Sequence, residues 1–239
     1  MKNIVCIIPA RGNSERVSNK NIRLLLGKPL IAYTIESALE SRLISKTIVS
    51  TDSQVIAKIA KEFGAEVVLR PDNLALPTSP LEDALRHAVG ELDRKEGFRP
   101  DIVVFMQPNV PVRKSGEIDV VIKRLQEIKD ATAMVTVYKI NQRPEWMKRL
   151  DKKTGRITPF IEPTMSYRMQ DLPELYLIDG AIVLVKTNTL METEGNRKAH
   201  AFLGDKVYSF IHDARYSVEI DEEEDFEIAK YFLLKERNK

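Results

Sequence analysis

Short apolar runs alternate with amphipathic stretches along the first part of the chain. The apolar runs predict buried strands over residues 4–8, 47–50, 66–69, 102–106 and 133–137. The stretches between them predict helices over residues 29–41, 53–63, 80–94 and 117–128. Strands and helices in alternation are typical of an α/β protein with a doubly wound, mostly parallel, Rossmann-like sheet that helices cover on both faces.

This alternation stops after about Tyr138. Residues 141–176 contain four prolines, the only tryptophan, Trp146, and a turn pattern at residues 151–155. We interpret this segment as an arm or a lid inserted into a single domain of residues 1–239. After it, the sequence predicts strands over residues 181–185 and 206–211 and a terminal helix over residues 222–235.

Composition narrows the class of protein. The chain has 239 residues, of which 43% are hydrophobic, so it can bury a full core. Its formal net charge is +2 and it has no long basic run, which argues against nucleic-acid binding. Cys6 is the only cysteine, so no disulfide or cysteine metal framework is expected. We also predict no signal peptide and no membrane span, and hence a cytoplasmic protein.

The loop after the first predicted strand has the composition of a phosphate-binding loop. Gly12 and Ser14 leave room for backbone N–H groups to approach an anion, and Asn13 tolerates a left-handed conformation. Arg11 and Lys20 carry the opposite charge to a phosphate. The spacing matches neither the phosphate-loop motif nor the dinucleotide motif, so a basic surface turn is the alternative.

Other polar residues follow the next strands, where ligands of open α/β sheets collect. Asp52 follows the second strand and, with Ser53, is expected to belong to a helix N-cap region. Gln107 follows the fourth strand, and its amide can recognise a nucleobase or a sugar because it both donates and accepts hydrogen bonds. A role for Gln107 in a turn is the alternative.

Glu219 and Asp221 alternate with apolar residues near the end of the chain. In an extended segment their carboxylates share one face and could hold a hard cation, for which Mg²⁺ is the natural candidate. The alternative is that Asp221 and Glu224 form a helix-capping pattern.

Motifs along nearly the whole chain resemble those of the CMP-activating sugar cytidylyltransferases, most closely the acylneuraminate (sialic acid) branch. They occur in the family's order, at residues 8–14, 20–21, 27–30, 50–52, 70–75, 107–113, 168–176, 180–181 and 219–226. The resemblance implies a nucleotide-diphospho-sugar transferase-like fold. It also implies a nucleotidyltransferase that uses CTP and Mg²⁺ to convert a nine-carbon α-keto acid sugar into its CMP-sugar. The family further implies a homodimer whose arm reaches the partner's active site.

The resemblance also implies roles for individual residues. The CTP-binding residues would be Arg11, Gly12, Asn13, Ser14, Lys20 and Asn21. Gln107, Arg168 and Gln170 would bind the acidic sugar, with Arg168 acting across the dimer. Glu219 and Asp221 would bind the metal, and the residues expected to act in catalysis are Arg11, Lys20 and Asp221.

Several positions depart from the family's pattern. Glu15 stands where a lysine is common, Asp179 where an asparagine is common, and Glu219 where an aspartate is usual. The acceptor could therefore be a related acid, such as pseudaminic, legionaminic or keto-deoxy-octulosonic acid, and a non-catalytic nucleotide-binding scaffold is a further alternative. His87, His200 and His212 lie outside the matched motifs and are expected to be structural or exposed.

Overall fold

A seven-stranded sheet lies at the centre of the computed structural model, which describes residues 2–13, 16–162, 168 and 172–237. The strands in chain order are β1 Ile4–Pro9, β2 Leu24–Leu25, β3 Lys28–Pro29, β4 Lys46–Thr51, β5 Glu66–Leu69, β6 Ile102–Phe105, β7 Ala133–Ile140, β8 Lys148–Leu150, β9 Ile157–Pro159, β10 Leu175–Lys186 and β11 Val207–Ile211. The order across the central sheet is β11-β7-β10-β6-β1-β4-β5. The mostly parallel α/β sheet predicted from the sequence is therefore confirmed.

Helices cover both faces of the sheet. They are α1 Leu30–Leu39, α2 Gln54–Glu62, α3 Leu81–Glu96, α4 Glu117–Glu127, α5 Thr187–Glu192 and α6 Glu223–Arg237. Alternate residues of β1 point to opposite faces, so Cys6 packs with α1, α2 and α4, whereas Val5 and Ile7 pack with α3 and α5. Cys6 is fully buried.

Strand β10 is the main departure from the sequence-based expectation. It was expected to begin at Ala181, but it begins at Leu175 and runs antiparallel to both β6 and β7. Its pairing with β7 shifts register between Ile178 and Val183. Such a bulge redirects side chains, and here it contains Asp179 and Gly180, at the edge of the sheet where β6 ends.

The segment between β7 and β10 contains a small hairpin. Strands β8 and β9 pair in antiparallel fashion around the predicted turn at residues 151–155. Leu150 and Ile157 of this hairpin are 60% and 61% exposed, which leaves an apolar surface on it. Within the described ranges of the chain, no helix is both long enough and apolar enough to cross a lipid bilayer.

Candidate active site

A cavity of about 360 Å³ opens at the carboxyl ends of β1, β5 and β6. Its lining includes Pro9, Arg11, Arg16, Lys20, Asn21, Arg70, Gln107 and Asn109. The loops that the sequence places after successive strands thus meet at one edge, as expected for an open α/β sheet. Basic side chains dominate the charge of this lining, so the cavity suits an anionic ligand.

The loop after β1 is held by the neighbouring loop after β4. The backbone N–H of Gly12 donates to Asp52 at 2.9 Å, rather than being left available to an anion as the sequence suggested. A Cβ atom at position 12 would lie 3.1 Å from the Cβ of Ser53, so this close approach favours glycine. Asn21 is buried and its amide donates to the carbonyl oxygen of Arg11 at 3.2 Å. Gly12 and Asn21 therefore shape the loop.

The helix N-cap region expected at Asp52 and Ser53 is confirmed, although the side chain of Asp52 does not itself form the cap. Ser53 is the N-cap of α2 and accepts a hydrogen bond from the backbone N–H of Ile56. Asp52 lies between the loop after β1 and Arg70, whose guanidinium is 3.8 Å away. The buried Nε of Arg70 has no hydrogen-bond partner among the described residues. Because Arg70 also lines the cavity, it can donate to a ligand atom there.

The carboxylate of Asp221 accepts hydrogen bonds from several side chains at the side of the cavity. Lys20 Nζ lies 2.9 Å from one carboxylate oxygen of Asp221, and Arg16 lies 2.8 Å from the other. The amide of Asn109 donates to the first oxygen at 3.3 Å. Burial alone would raise the pKa of Asp221, but Lys20 and Arg16 outweigh it and lower that pKa. The carboxylate is therefore ionised and is paired with Lys20.

The capping alternative for Asp221 is wrong. Helix α6 begins at Glu223, and Asp225 accepts the backbone N–H groups of Asp221 and Glu222, each at 2.8 Å. This is the carboxylate half of a capping box, and Asp225 supplies it rather than Glu224. The side chain of Asp221 instead contacts the basic residues of the cavity.

Glu219 and Asp221 are close enough to affect each other's ionisation. Burial raises the pKa of Glu219, and the negative charges of Asp221 and Asp179 raise it further. Two neighbouring carboxylates that repel each other can bind a hard divalent cation, because its positive charge would relieve the repulsion. No cluster of three metal-binding side chains occurs in the part of the chain described, so such a cation would need ligand or water oxygens as well.

Gln107 lies between the cavity and the bulge of β10. Its backbone carbonyl accepts from the guanidinium of Arg113 at 2.8 Å, and its backbone N–H donates to Gly180 at 3.2 Å. A Cβ atom at position 180 would lie only 2.5 Å from Nε2 of Gln107. The side chain of Gln107 therefore depends on glycine at position 180.

The remaining predicted site residues lie away from this cavity or outside the described residues. Asn13 and Arg168 are both exposed. Arg168 lies on the arm and is not among the residues that line the cavity of its own chain. Ser14 and Gln170 fall outside the described residues.

A comparison with known families identifies the chain. The profile of the family described as Cytidylyltransferase matches residues 5–233. The chain belongs to the cytidylyltransferase family. This match confirms the resemblance to the cytidylyltransferases that the sequence motifs indicated.

Two relatives show the range within this family. N-acylneuraminate cytidylyltransferase of Escherichia coli is 32% identical over 95% of this chain and 51% of its own length. CMP-N,N'-diacetyllegionaminic acid synthase of Legionella pneumophila is 33% identical over 80% of this chain and 81% of its own. The chain thus spans about half the length of the first of these relatives.

A solved structure supports the fold independently. The structure of CMP:2-keto-3-deoxy-manno-octonic acid synthetase complexed with CTP superposes with a TM-score of 0.74 and covers 98% of this chain and 99% of its own. The two chains are only 17% identical, so this similarity concerns the fold alone.

Several cavity residues of this cytidylyltransferase were missed as site residues in the sequence. Arg16 and Asn109 contact Asp221, and Arg70 lines the cavity wall. The sequence indicated them only through their positions after β1, β6 and β5, where ligands of open α/β sheets bind. Outside the cavity lining, the pKa of Tyr138 is raised by burial and by the charges of Glu219 and Asp179, and the sequence gave no indication of this.

Proposed function

We propose that this chain transfers CMP from CTP to a nine-carbon α-keto acid sugar of the N-acylneuraminate type and releases pyrophosphate. The observation that carries the proposal is the cavity at the carboxyl ends of the strands, which is lined by four basic side chains, two of which, Arg16 and Lys20, pair with Asp221 at its side. Such a cavity can bind a triphosphate and a divalent cation side by side. A sugar hydroxyl would attack the α-phosphorus, and pyrophosphate would leave.

The basic residues account for binding and charge stabilisation. Arg11, Arg16 and Lys20 would bind the triphosphate, and Arg70 would donate its Nε to an acceptor atom of the nucleotide. A triphosphate entering the cavity would compete with Asp221 for Lys20 and Arg16. This exchange would move two positive charges toward the phosphates and release the carboxylate of Asp221. Positive charge at the departing pyrophosphate lowers the barrier.

Glu219 and Asp221 are the residues that would hold Mg²⁺. When bound, Mg²⁺ supplies a Lewis acid for the α-phosphate and aligns it with the attacking hydroxyl. Two carboxylates suffice because Mg²⁺ keeps several water or phosphate ligands. The extra methylene of Glu219 relative to aspartate is compatible with a contact through water.

The acidic sugar would bind beside Gln107. The sugar's carboxylate needs a cation, and Arg168 on the exposed arm is the candidate from the sequence motif. Because Arg168 does not line the cavity of its own chain, it would act on the cavity of a second copy. The same sequence motif assigns sugar binding to Gln170. This part of the proposal therefore requires a homodimer.

The choice of acceptor is tested by measuring pyrophosphate release. CTP, ATP, GTP and UTP are each combined with N-acetylneuraminate, a legionaminic acid, a pseudaminic acid and 3-deoxy-manno-octulosonate. We expect release with CTP and N-acetylneuraminate. A legionaminic acid is the second candidate, because the relative named for it is 33% identical to this chain.

The same screen separates the ways in which the proposal can fail. Release with CTP and another acid would overturn the acceptor but keep the reaction class. No release with any pair, in a protein that still binds CTP, would favour the non-catalytic scaffold.

A further inference from the structure

Four charged side chains, three of them almost completely buried, lie next to Ser217, which precedes the acidic segment of the candidate site. They belong to Arg113, Glu117, Asp179 and His212, which we call the charge cluster. The side chains of Glu117, Asp179 and His212 are 6%, 0% and 2% exposed. Two positive and two negative charges balance, as is needed for charges removed from water.

Histidine 212 is the centre of this cluster. Its Nδ1 lies 3.1 Å from a carboxylate oxygen of Glu117, and its Nε2 is hydrogen-bonded to Asp179. A neutral imidazole has only one N–H, so it can donate to only one of these acceptors. An imidazole between two carboxylates is therefore protonated on both nitrogens. Burial alone would oppose this charge, but the hydrogen bonds with Asp179 and Glu117 raise the pKa of His212 to about 9.

Ser217 connects the charge cluster to the acidic segment. Its hydroxyl donates to Asp179 and lies 3.0 Å from Nε2 of His212. Residues 218–221 follow it without forming a helix or a strand. The position of Glu219 and Asp221 therefore depends on individual side-chain and backbone contacts instead of on a sheet ladder.

Within the segment, Lys20 donates to the carbonyl oxygen of Ile220 at 2.7 Å, and Lys20 and Arg16 both pair with Asp221. Ile220 is fully buried, and its backbone N–H donates to the carbonyl of Asn109 at 2.8 Å. The backbone N–H of Asp221 donates to Asp225. At the other end, the contacts of Ser217 with Asp179 and His212 provide the side-chain anchor. Loss of that anchor would free the residues next to Glu219.

Resting on the proposed function above, we propose that His212 is a positioning residue: through Asp179 and Ser217 it fixes the segment that presents Glu219 and Asp221 to the nucleotide. The same bulge of β10 carries Gly180, against which Gln107 packs. The charge cluster thus positions both the acidic segment and the side chain expected to contact the sugar.

The test uses two variants and one control. Ser217→Ala removes the anchor but leaves the ion pairs of the cluster in place, whereas His212→Gln removes the imidazolium. Leu190→Ala is the control, because Leu190 is fully buried in α5 after the far end of β10. It should lower stability without touching the site.

Hydrogen exchange at the backbone amides of residues 220–222 reports on the segment without requiring activity. For Ser217→Ala we expect these amides to exchange at least about tenfold faster, while amides of β1 keep their protection. The Mg²⁺ concentration that gives half-maximal activity should rise about tenfold, since residues that orient metal ligands commonly have effects of that size. His212→Gln should show both effects more strongly, and Leu190→Ala neither.

Unchanged exchange at residues 220–222 in Ser217→Ala would overturn the proposal. So would an equal change in Leu190→Ala, because the effect would then follow from general instability. Faster exchange in Ser217→Ala, together with a wild-type protein that shows no cytidylyltransferase activity, would support the positioning role and reject the proposed function. The two failures are therefore distinguishable.

Discussion

At the scale of single residues, the contact between Lys20 and Asp221 is the most informative feature. It joins the loop after β1 to a segment 200 residues later in the chain.

We expect Arg11→Ala and Lys20→Ala each to reduce kcat by about a hundredfold, because each removes a charge aimed at the phosphates. Steady-state kinetics measures this. Lys58→Ala, an exposed change on α2, is the matched control and should have little effect. Turnover within a few fold of wild type for both site variants would exclude the loop from catalysis.

A carboxylate at position 221 is expected to be essential for metal binding. Asp221→Asn should reduce activity by about a hundredfold or more and raise the Mg²⁺ requirement. Its effect on the free energy of unfolding should be about 1 kcal/mol, because Asp225, not Asp221, caps α6, whereas the ion pairs of Asp221 with Lys20 and Arg16 are lost. Magnesium titrations together with thermal unfolding separate the two effects.

Glu219→Asp is the companion variant. It installs the residue usual in the family, so activity should be retained or improved. If both variants at positions 219 and 221 titrate with Mg²⁺ as wild type does, the metal is held elsewhere.

At the scale of elements, the bulge of β10 controls the side chain of Gln107. Gly180 has φ of +66°, where a Cβ atom costs roughly 1–2 kcal/mol. In Gly180→Ala the new Cβ would also displace Gln107, so we expect the KM for the acceptor sugar to rise about tenfold while the KM for CTP stays constant. Gly90→Ala is the control, since position 90 in α3 is open and the change should add about 0.5–1 kcal/mol of stability. Equal KM values for the sugar in Gly180→Ala and wild type would contradict this role for the bulge.

The charge cluster joins β10, α4 and the segment after β11, and it makes stability depend on pH. The pKa of His212 is raised from 6.5 to about 9 in the folded chain. Its contribution is therefore complete below about pH 6.5 and disappears as pH rises through 9, a loss of up to about 3 kcal/mol.

Denaturant unfolding between pH 6 and 9.5 measures this loss. The pKa of His87 is lowered, chiefly by burial, so its titration affects stability only below pH 6.5. The profile of His212→Gln should be flatter than that of wild type in the alkaline range. Parallel profiles would mean that His212 is not charged in the folded protein.

At the scale of the whole molecule, the exposed apolar surface of the arm indicates a partner. Leu150 and Ile157 on the hairpin, and Leu177 on β10, are all about half exposed or more. Surfaces of this kind on a folded protein commonly mark an interface. We expect sedimentation to show a dimer at micromolar concentration, formed by two-fold pairing of the arms.

Replacing both Leu150 and Ile157 by serine should then give a monomer that binds CTP but turns over poorly, since Arg168 could no longer reach a second cavity. Val120→Ser, an equally exposed change on α4, should remain dimeric. A wild-type monomer with full activity would rule out both the dimer and the action of Arg168 across it.

The hydrophobic pattern predicts most elements of this fold well. Strand β5 agrees to the residue, and α4 ends one residue earlier than predicted. The antiparallel direction of β10 could not be predicted, because a buried strand shows the same continuous apolar run in either direction. Its early start was missed for another reason: Tyr176, Leu177 and Ile178 are exposed and adjoin the arm.

The residues of the candidate site were predicted less completely than the fold. Strand order places Arg11, Lys20 and Gln107 at one edge, so their proximity follows from the sequence. The pairing of Asp179 with His212 does not follow from the sequence, because it depends on a bulge and on a loop whose positions are set only by the folded sheet. Nor does the pairing of Lys20 with Asp221, because side chains distant in sequence leave no local pattern.

The antiparallel neighbours β7 and β10 have a consequence for how this protein can diversify. Ile140 and Leu175 are paired across the sheet, so the arm leaves and re-enters the domain at a single point. Its length and sequence can therefore change without altering any strand register or the nucleotide cavity. The arm can therefore be replaced during evolution independently of the rest of the domain. Under the proposed function, recognition of the sugar and of a second copy could thus evolve without any change to the residues that line the cavity.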